Sequence, residues 1–215
     1  MRQLLATALI ALIAAMSPPA AAQSGSEVRV SPQDWRRLNV FFSNFAEASV
    51  KPFRRGEVPP ATLIQFGVLH ILINAHQRVQ NMPGRPDYGR LTARQVEAEI
   101  TKYFGVPFSR HQSLSGDYSW IEYANGYYVF PLADGETHPF AQLNRMTDVG
   151  GGEFTATLSV YQMPDYDVDL YGTPVDQLRR SGYEVERLSE MRARIRRVRE
   201  NGRDRYVLLE YLPAR

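Results

Sequence analysis

Cysteine is absent from all 215 residues, which removes disulfides, thiolate metal sites, a thiol nucleophile and a lipoprotein thioether together. Stability therefore has to come from packing. Lysine is scarce too, with Lys51 and Lys102 the only two and arginine supplying every other cation. The formal net charge is +2, a balance that argues against a nucleic-acid partner. Also missing are a Gly-x-Ser-x-Gly elbow, an HExxH helix and a Gly-rich phosphate loop opening a helix, so the common signatures of hydrolases, zinc proteases and nucleotide enzymes do not occur. No apolar run reaches the roughly 20 residues that a hydrocarbon core demands.

What is present begins with "MRQLLATALIALIAAMSPPAAAQS". A basic residue, Arg2, precedes an apolar run from Leu4 to Met16, then Pro18 and Pro19, then small residues ending at Ala22. That order is the pattern of a secretory signal peptide over residues 1–22, cut before Gln23. The expected product is an exported chain, periplasmic or secreted, with residues 23–215 as one domain and no transmembrane segment after cleavage. An oxidising destination makes the lack of cysteine more telling.

Charge is distributed unevenly. Between Asp117 and Gly172 nine carboxylates stand against Arg145 alone, whereas from Thr173 onward eleven arginines face seven acids. Attraction between the acidic middle and the basic tail is the natural expectation.

The first mature segment, "SPQDWRRLNVFFSNFAEA", reads as a helix with Ser31 as N-cap and Pro32 in the first turn. Trp35, Leu38, Phe42 and Phe45 recur at three and four, which makes one apolar stripe. After Pro59 and Pro60, "ATLIQFGVLHILINAHQRV" predicts a second helix that is apolar nearly all round and so central. Thr92 with Gln95 predicts a capping box for a third, which ends at Gly105. From Tyr118 the period becomes two. Asn125-Gly126 marks one hairpin, the glycines 150–152 a second, and Asn201-Gly202 a third. Residues 188–199 fit a helical face through Leu188, Met191, Ile195 and Val198. They also fit a strand through Met191, Ala193 and Ile195. The Asn-Gly turn that follows favours the strand, with a bulge at Arg197 to restore phase.

The fold class is therefore α+β: three N-terminal helices packed on a curved antiparallel sheet of about six strands, as in NTF2-like or cystatin-like cones. The segments "LNVFFSNFAEASVKPF", "TKYFGVPFSRHQS", "NGYYVFPLADGE" and "RYVLLEYL" together resemble a group of exported bacterial proteins of unassigned activity, many of them lipoproteins. The resemblance covers most of the mature chain. It implies export and supports the strand reading of the tail, and it supplies no catalytic residues. The lipobox cysteine is lacking here, which implies release from the membrane after cleavage.

Three candidate sites follow from residue type. Asp165, Asp167 and Asp169 alternate in "PDYDVDLYG" as at the start of a calcium loop, and Tyr171, Thr173 and Asp176 continue the spacing. Leu170 stands where the sharp turn needs glycine, and the competing reading is an acidic loop that faces water or pairs with arginines. His70 lies in line with Leu63, Phe66 and Ile73, with Asn74 one turn on. Either Asn74 satisfies a buried imidazole, or the two line a cavity between helix and sheet. His111, in "SRHQS", is the third. The aromatic hairpin with Tyr118, Trp120, Tyr123, Tyr127 and Tyr128 is either a sugar or peptide platform or an ordinary sheet face.

The function these features favour is non-catalytic binding of a protein partner or envelope component through the sheet. One alternative is a small-molecule binder or hydrolase with a cavity near His70. The other is a calcium-binding module, calcium being the only cofactor the residues suggest.

Overall fold

The computed structural model describes residues 25–132, 137–164, 167–200 and 202–214. The leader and Asp165 lie outside them. Helix α1 (Pro32–Glu47) starts where its cap predicts, with Ser31 Oγ accepting the Asp34 N–H at 3.1 Å. Helix α2 (Pro60–Asn74) follows the paired prolines, and α3 (Ala93–Phe104) carries the complete capping box. In that box Gln95 N–H donates to Thr92 Oγ1 at 3.2 Å and Thr92 N–H donates to Gln95 Oε1 at 2.8 Å. A short fourth helix, α4 (Val175–Arg180), lies in the connection after the second long strand. Among the described residues no helix is long and apolar enough to cross a membrane.

Among the described residues nine strands form two antiparallel sheets. The larger has the order β1 (Ser26–Glu27), β6 (Phe140–Gly150), β7 (Glu153–Gln162), β8 (Glu186–Glu200), β9 (Arg203–Pro213). The smaller has the order β2 (Gln80–Met82), β3 (Arg85–Thr92), β5 (Tyr127–Pro131), β4 (Glu122–Ala124). The α+β class holds, but the arrangement differs from a single curved sheet of six strands behind three helices. A hairpin of β2 and β3 interrupts the helices, and its polar residues and Pro86 mask the alternation that betrays a strand. Its partner β5 comes after α3 in the chain, so local pattern cannot announce the second sheet.

Local chemistry does announce the turns. Ala124 pairs with Tyr127, and Asn125 (φ 52°) and Gly126 (φ 80°) between them adopt the left-handed conformations that a two-residue hairpin requires. Residues 188–199 are a strand, as the Asn-Gly turn suggested, with Met191, Ala193 and Ile195 buried. Arg197 carries no bulge. The extra residue sits instead on β9, where Arg194 pairs with Glu210 and Ile195 with Leu208, leaving Leu209 unpaired.

One continuous core joins all this. Phe42, Phe45, Phe66, Ile71 and Ile100 of the three long helices pack with Ala156, Leu158 and Ile195 of the larger sheet and with Leu91, Tyr128 and Phe130 of the smaller. Each fully buried phenylalanine, leucine or isoleucine among these contributes roughly 1.5–3 kcal/mol. A satellite cluster of Phe140, Met163, Leu170, Val175 and Leu178 holds α4 on the start of β6.

Among the described residues the first half of β6 has no strand on its outer side, because β1 pairs only at Thr147 and Asp148. Its backbone is satisfied by α1 instead. Asn39 Oδ1 accepts the Leu143 N–H at 2.8 Å, Ser43 Oγ accepts the Ala141 N–H at 2.8 Å, and Trp35 Nε1 donates to the Leu143 carbonyl at 2.9 Å. Polar groups on a buried helix face thus replace a missing strand. Glu47 ends the same stripe, four residues beyond Ser43.

Candidate ligand-binding clefts

Helix α2 brings His70 and Asn74 together as the sequence predicts, with Asn74 Nδ2 3.3 Å from His70 Nδ1. The amide is the donor there, so His70 Nε2 carries the proton and points at Glu99 Oε2, 3.5 Å away. Phe66 stacks on one face of the imidazole and Tyr103 meets it edge-on, at ring separations of 5.4 and 4.6 Å. The ring is 7 % exposed, and burial lowers its pKa from 6.5 to about 4. A neutral, enclosed imidazole is the result. His70 serves packing, and the cavity expected beside it lies instead on the far side of Asn74.

Glu99, on α3, is the other half of that arrangement. Arg78 Nη1 donates to its Oε1 at 2.5 Å, and Lys102 Nζ approaches Oε2 to 3.9 Å. Gly67, one turn before His70, lets the two helices meet, since a Cβ there would lie 2.7 Å from Val96 Cγ1 and 3.1 Å from the Val96 carbonyl oxygen.

His111 is held differently and just as fully. Its Nε2 donates to Glu97 Oε1 at 2.9 Å, and its Nδ1 accepts from the Tyr128 hydroxyl at 2.8 Å. The imidazole stacks on Tyr123 with ring centres 5.1 Å apart. Tyr128 is fully buried, and burial raises its pKa. This carboxylate–imidazole–phenol chain fastens the 106–115 connection to β5, with its hydroxyl shut away from solvent.

The acidic loop also has an internal use. Asp169 Oδ2 accepts from Arg36 Nε at 3.0 Å, and its Oδ1 accepts the N–H groups of Tyr171 and Gly172 at 3.3 and 3.1 Å. The Arg36 hydrogen bond lowers the Asp169 pKa, and the two backbone donors lower it further. Those are the partners a calcium ion would have to displace. Asp167 is exposed, and no group of three potential ligands for a metal occurs among the described residues. The expected attraction between acidic middle and basic tail is realised at Glu153, which meets Arg194 at 2.8 Å and Arg55 at 2.7 Å. Asp169 and Asp117 pair instead with Arg36 and Lys51 from the N-terminal part.

Sequence pattern alone did not single out Glu47. It lies at the end of α1 and is 7 % exposed. Tyr171 Oη donates to its Oε1 at 3.0 Å and Asn74 Nδ2 to its Oε2 at 2.8 Å. Burial pushes the carboxyl above the ordinary glutamate range, opposed by these two hydrogen bonds and by nearby His138. Two adjoining clefts open onto it. The smaller, about 480 Å³, runs between Asn74, Phe140 and the Asp169–Tyr171 turn. The larger, about 750 Å³, runs between Leu69, Leu72 and the Tyr118–Trp120 turn. Glu47, Ile73, His138 and Pro139 line both. The signal for Glu47 was its place in the four-residue series Asn39, Ser43, Glu47, which puts a carboxylate on a face that is otherwise sealed.

Trp120 Nε1 donates to the Asp117 carbonyl at 3.0 Å, which fixes the indole at the rim of the larger cleft beside Tyr118, ring centres 6.0 Å apart. Part of the aromatic hairpin therefore faces a hollow. Tyr123 and Tyr128 pack against each other and His111. Glu47 and Asp117 are the carboxylates of the larger cleft, and neither lysine nor arginine is among its described lining residues. Comparison with protein-family models, with curated proteins and with solved structures finds no match.

Proposed function

We propose that this chain is an exported, non-catalytic binding domain whose ligand is a small organic cation seated over Glu47. The observation that carries the reading is the state of that carboxyl. It is buried, its hydrogen bonds come from neutral donors, and it faces two clefts of the size that ligand sites occupy. Among the described residues Glu47 makes no ion pair with lysine or arginine and only nearby His138 adds charge in its favour, so the carboxylate is further stabilised when a cation arrives. The Tyr118 and Trp120 rings at the rim suit an ammonium group, which aromatic faces attract.

A small ligand is favoured over a protein partner on the sheet by the character of the sheet's outer face. Two of its arginines are matched across the strands, Arg192 with Glu210 at 3.4 Å and Arg194 with Glu153 at 2.8 Å. Val106 and Leu188 are the exposed large apolar residues among those described, too few for an apolar patch of interface size. Binding rather than turnover is favoured by the two imidazoles the sequence marks for chemistry, since both are enclosed and already engaged.

Calorimetric titration with choline and with putrescine tests the reading. Saturable binding of at least one is expected, weakened about tenfold or more in Glu47→Gln, which keeps the shape and removes the charge. No binding of either cation, or equal affinity in Glu47→Gln, would overturn it. Export is tested by sequencing the N-terminus of the mature protein, which is expected at Gln23.

A further inference from the structure

At one end the larger sheet narrows to two strands. Strand β7 begins at Glu153, opposite Arg196, and the Arg197 N–H donates to the Gly152 carbonyl at 2.8 Å. Beyond that point Val198, Arg199 and Glu200 of β8 pair with Arg205, Asp204 and Arg203 of β9. Among the described residues no third strand flanks them, so this hairpin projects from the sheet as a ribbon. Arg199, Glu200, Gly202, Arg203 and Asp204 at its tip are all exposed.

Residues 196–205 hold five arginines against Glu200 and Asp204. Glu200 is taken by Arg205 at 2.7 Å. Glu153, across from Arg196, is already held by Arg55 and Arg194, and Asp34 by Arg37. Among the described residues Arg196, Arg197, Arg199 and Arg203 therefore make no ion pair, and Asp204 is the one carboxylate of the ribbon left to set against them. The four are divided between two faces. Side chains alternate along a strand, so Arg197 and Arg199 point to one side of the ribbon. Arg196 points to the other, with Glu200 and its cross-strand partner Arg203.

We infer that this ribbon is a docking element for a membrane surface rich in anionic lipid. The excess of arginine over carboxylate selects an anionic partner. The two-sided arrangement selects its form. A rigid acidic protein or a nucleic-acid duplex laid against the ribbon meets one of its faces, whereas a layer of mobile headgroups closes round both and reaches all four guanidinium groups. Each guanidinium can hold a lipid phosphate through two hydrogen bonds, and clusters of about four to eight cations are what anionic bilayers attract. The half-buried Val198 and the apolar stems of the arginines add contact with the headgroup layer. The inference does not rest on the cation reading of Glu47.

The test is sedimentation of the full chain with vesicles of phosphatidylcholine alone and with about 30 % phosphatidylglycerol added. Binding to the anionic vesicles is expected to be about tenfold tighter or more, and to fall as salt is raised. Arg197→Gln with Arg199→Gln, and Arg196→Gln with Arg203→Gln, should each weaken it about tenfold. The corresponding lysine pairs should keep most of it, since charge decides. Residues 1–22 are the same in every variant, so these differences belong to the ribbon. Unchanged binding in both glutamine pairs would overturn the inference, as would lysine pairs as weak as the glutamine ones. A loss confined to one face would overturn it in favour of a one-sided acidic protein, and tighter binding to a DNA duplex than to the vesicles in favour of nucleic acid.

Discussion

Glu47 and Glu99 are both buried carboxylates on helices, and their surroundings could hardly differ more. Glu99 meets the Arg78 guanidinium, the Lys102 ammonium and the His70 ring. Glu47 meets a phenol and an amide. The first is compensated from within the fold, so its charge is spent on joining α2, α3 and the turn at Arg78. The second is answered only by neutral donors and by nearby His138, and it is the one that lines open space. Where a buried charge is only partly compensated from within, the molecule has either accepted a cost or reserved a place.

That contrast can be broken from the Glu99 side first. Glu99→Ala strands Arg78 and opens a cavity between α2 and α3, and should cost about 3 kcal/mol of stability by urea denaturation. A loss below about 1 kcal/mol would mean that Glu99 is no more structural than Glu47.

Next is pH. The folded His70 pKa, about 4, lies below the ordinary 6.5, so the unfolded chain binds the proton more readily. The contribution is complete above pH 6.5 and lost as pH falls toward 4, amounting to about 2 kcal/mol between pH 7 and pH 5. The difference in pH dependence between wild type and His70→Leu measures it, and identical slopes would show that the imidazole is not enclosed.

Gly67→Ala sharpens the same region by pressing α2 away from Val96 and His70 away from Glu99. A loss of about 1 to 2 kcal/mol is expected. A wild-type melting temperature would show that the helices do not depend on this close approach.

Glu47→Gln should have the smallest effect on stability and the opposite sign. Burial raises the Glu47 pKa, so the folded state holds the proton more tightly than the unfolded one. Wild type therefore loses stability as pH rises from the ordinary glutamate range through the folded value, and the glutamine variant does not. The variant should be at least as stable as wild type at neutral pH. A clear destabilisation would make Glu47 a structural pin like Glu99.

Much of the fold was legible because its signals are local. The caps at Ser31 and Thr92, the left-handed Gly105 and the Asn125-Gly126 turn each act within a few residues. In the tail, where alternation and a helical face both fitted, the Asn201-Gly202 pair decided for the strand in which Met191, Ala193 and Ile195 are buried. The second sheet was hidden because β3 finds its partner across α3, and the bulge was misplaced because it belongs to β9, opposite the strand that seemed to need it on sequence phase alone. Of the candidate site, His70 and Asn74 were legible as a pair on one helix. Glu47 was not, since its meaning depends on Tyr171 and on rims supplied by Trp120 and His138, all distant in sequence.

The most direct test is the titration of the Glu47 side-chain carboxyl by carbon-13 NMR, with and without choline or putrescine. The expected result is a pKa above the ordinary glutamate range in the free protein, moving down when the cation is added. A carboxyl that titrates at or below that range, and does not respond to either cation, would contradict the claim that an incompletely compensated charge is held ready at the junction of the two clefts.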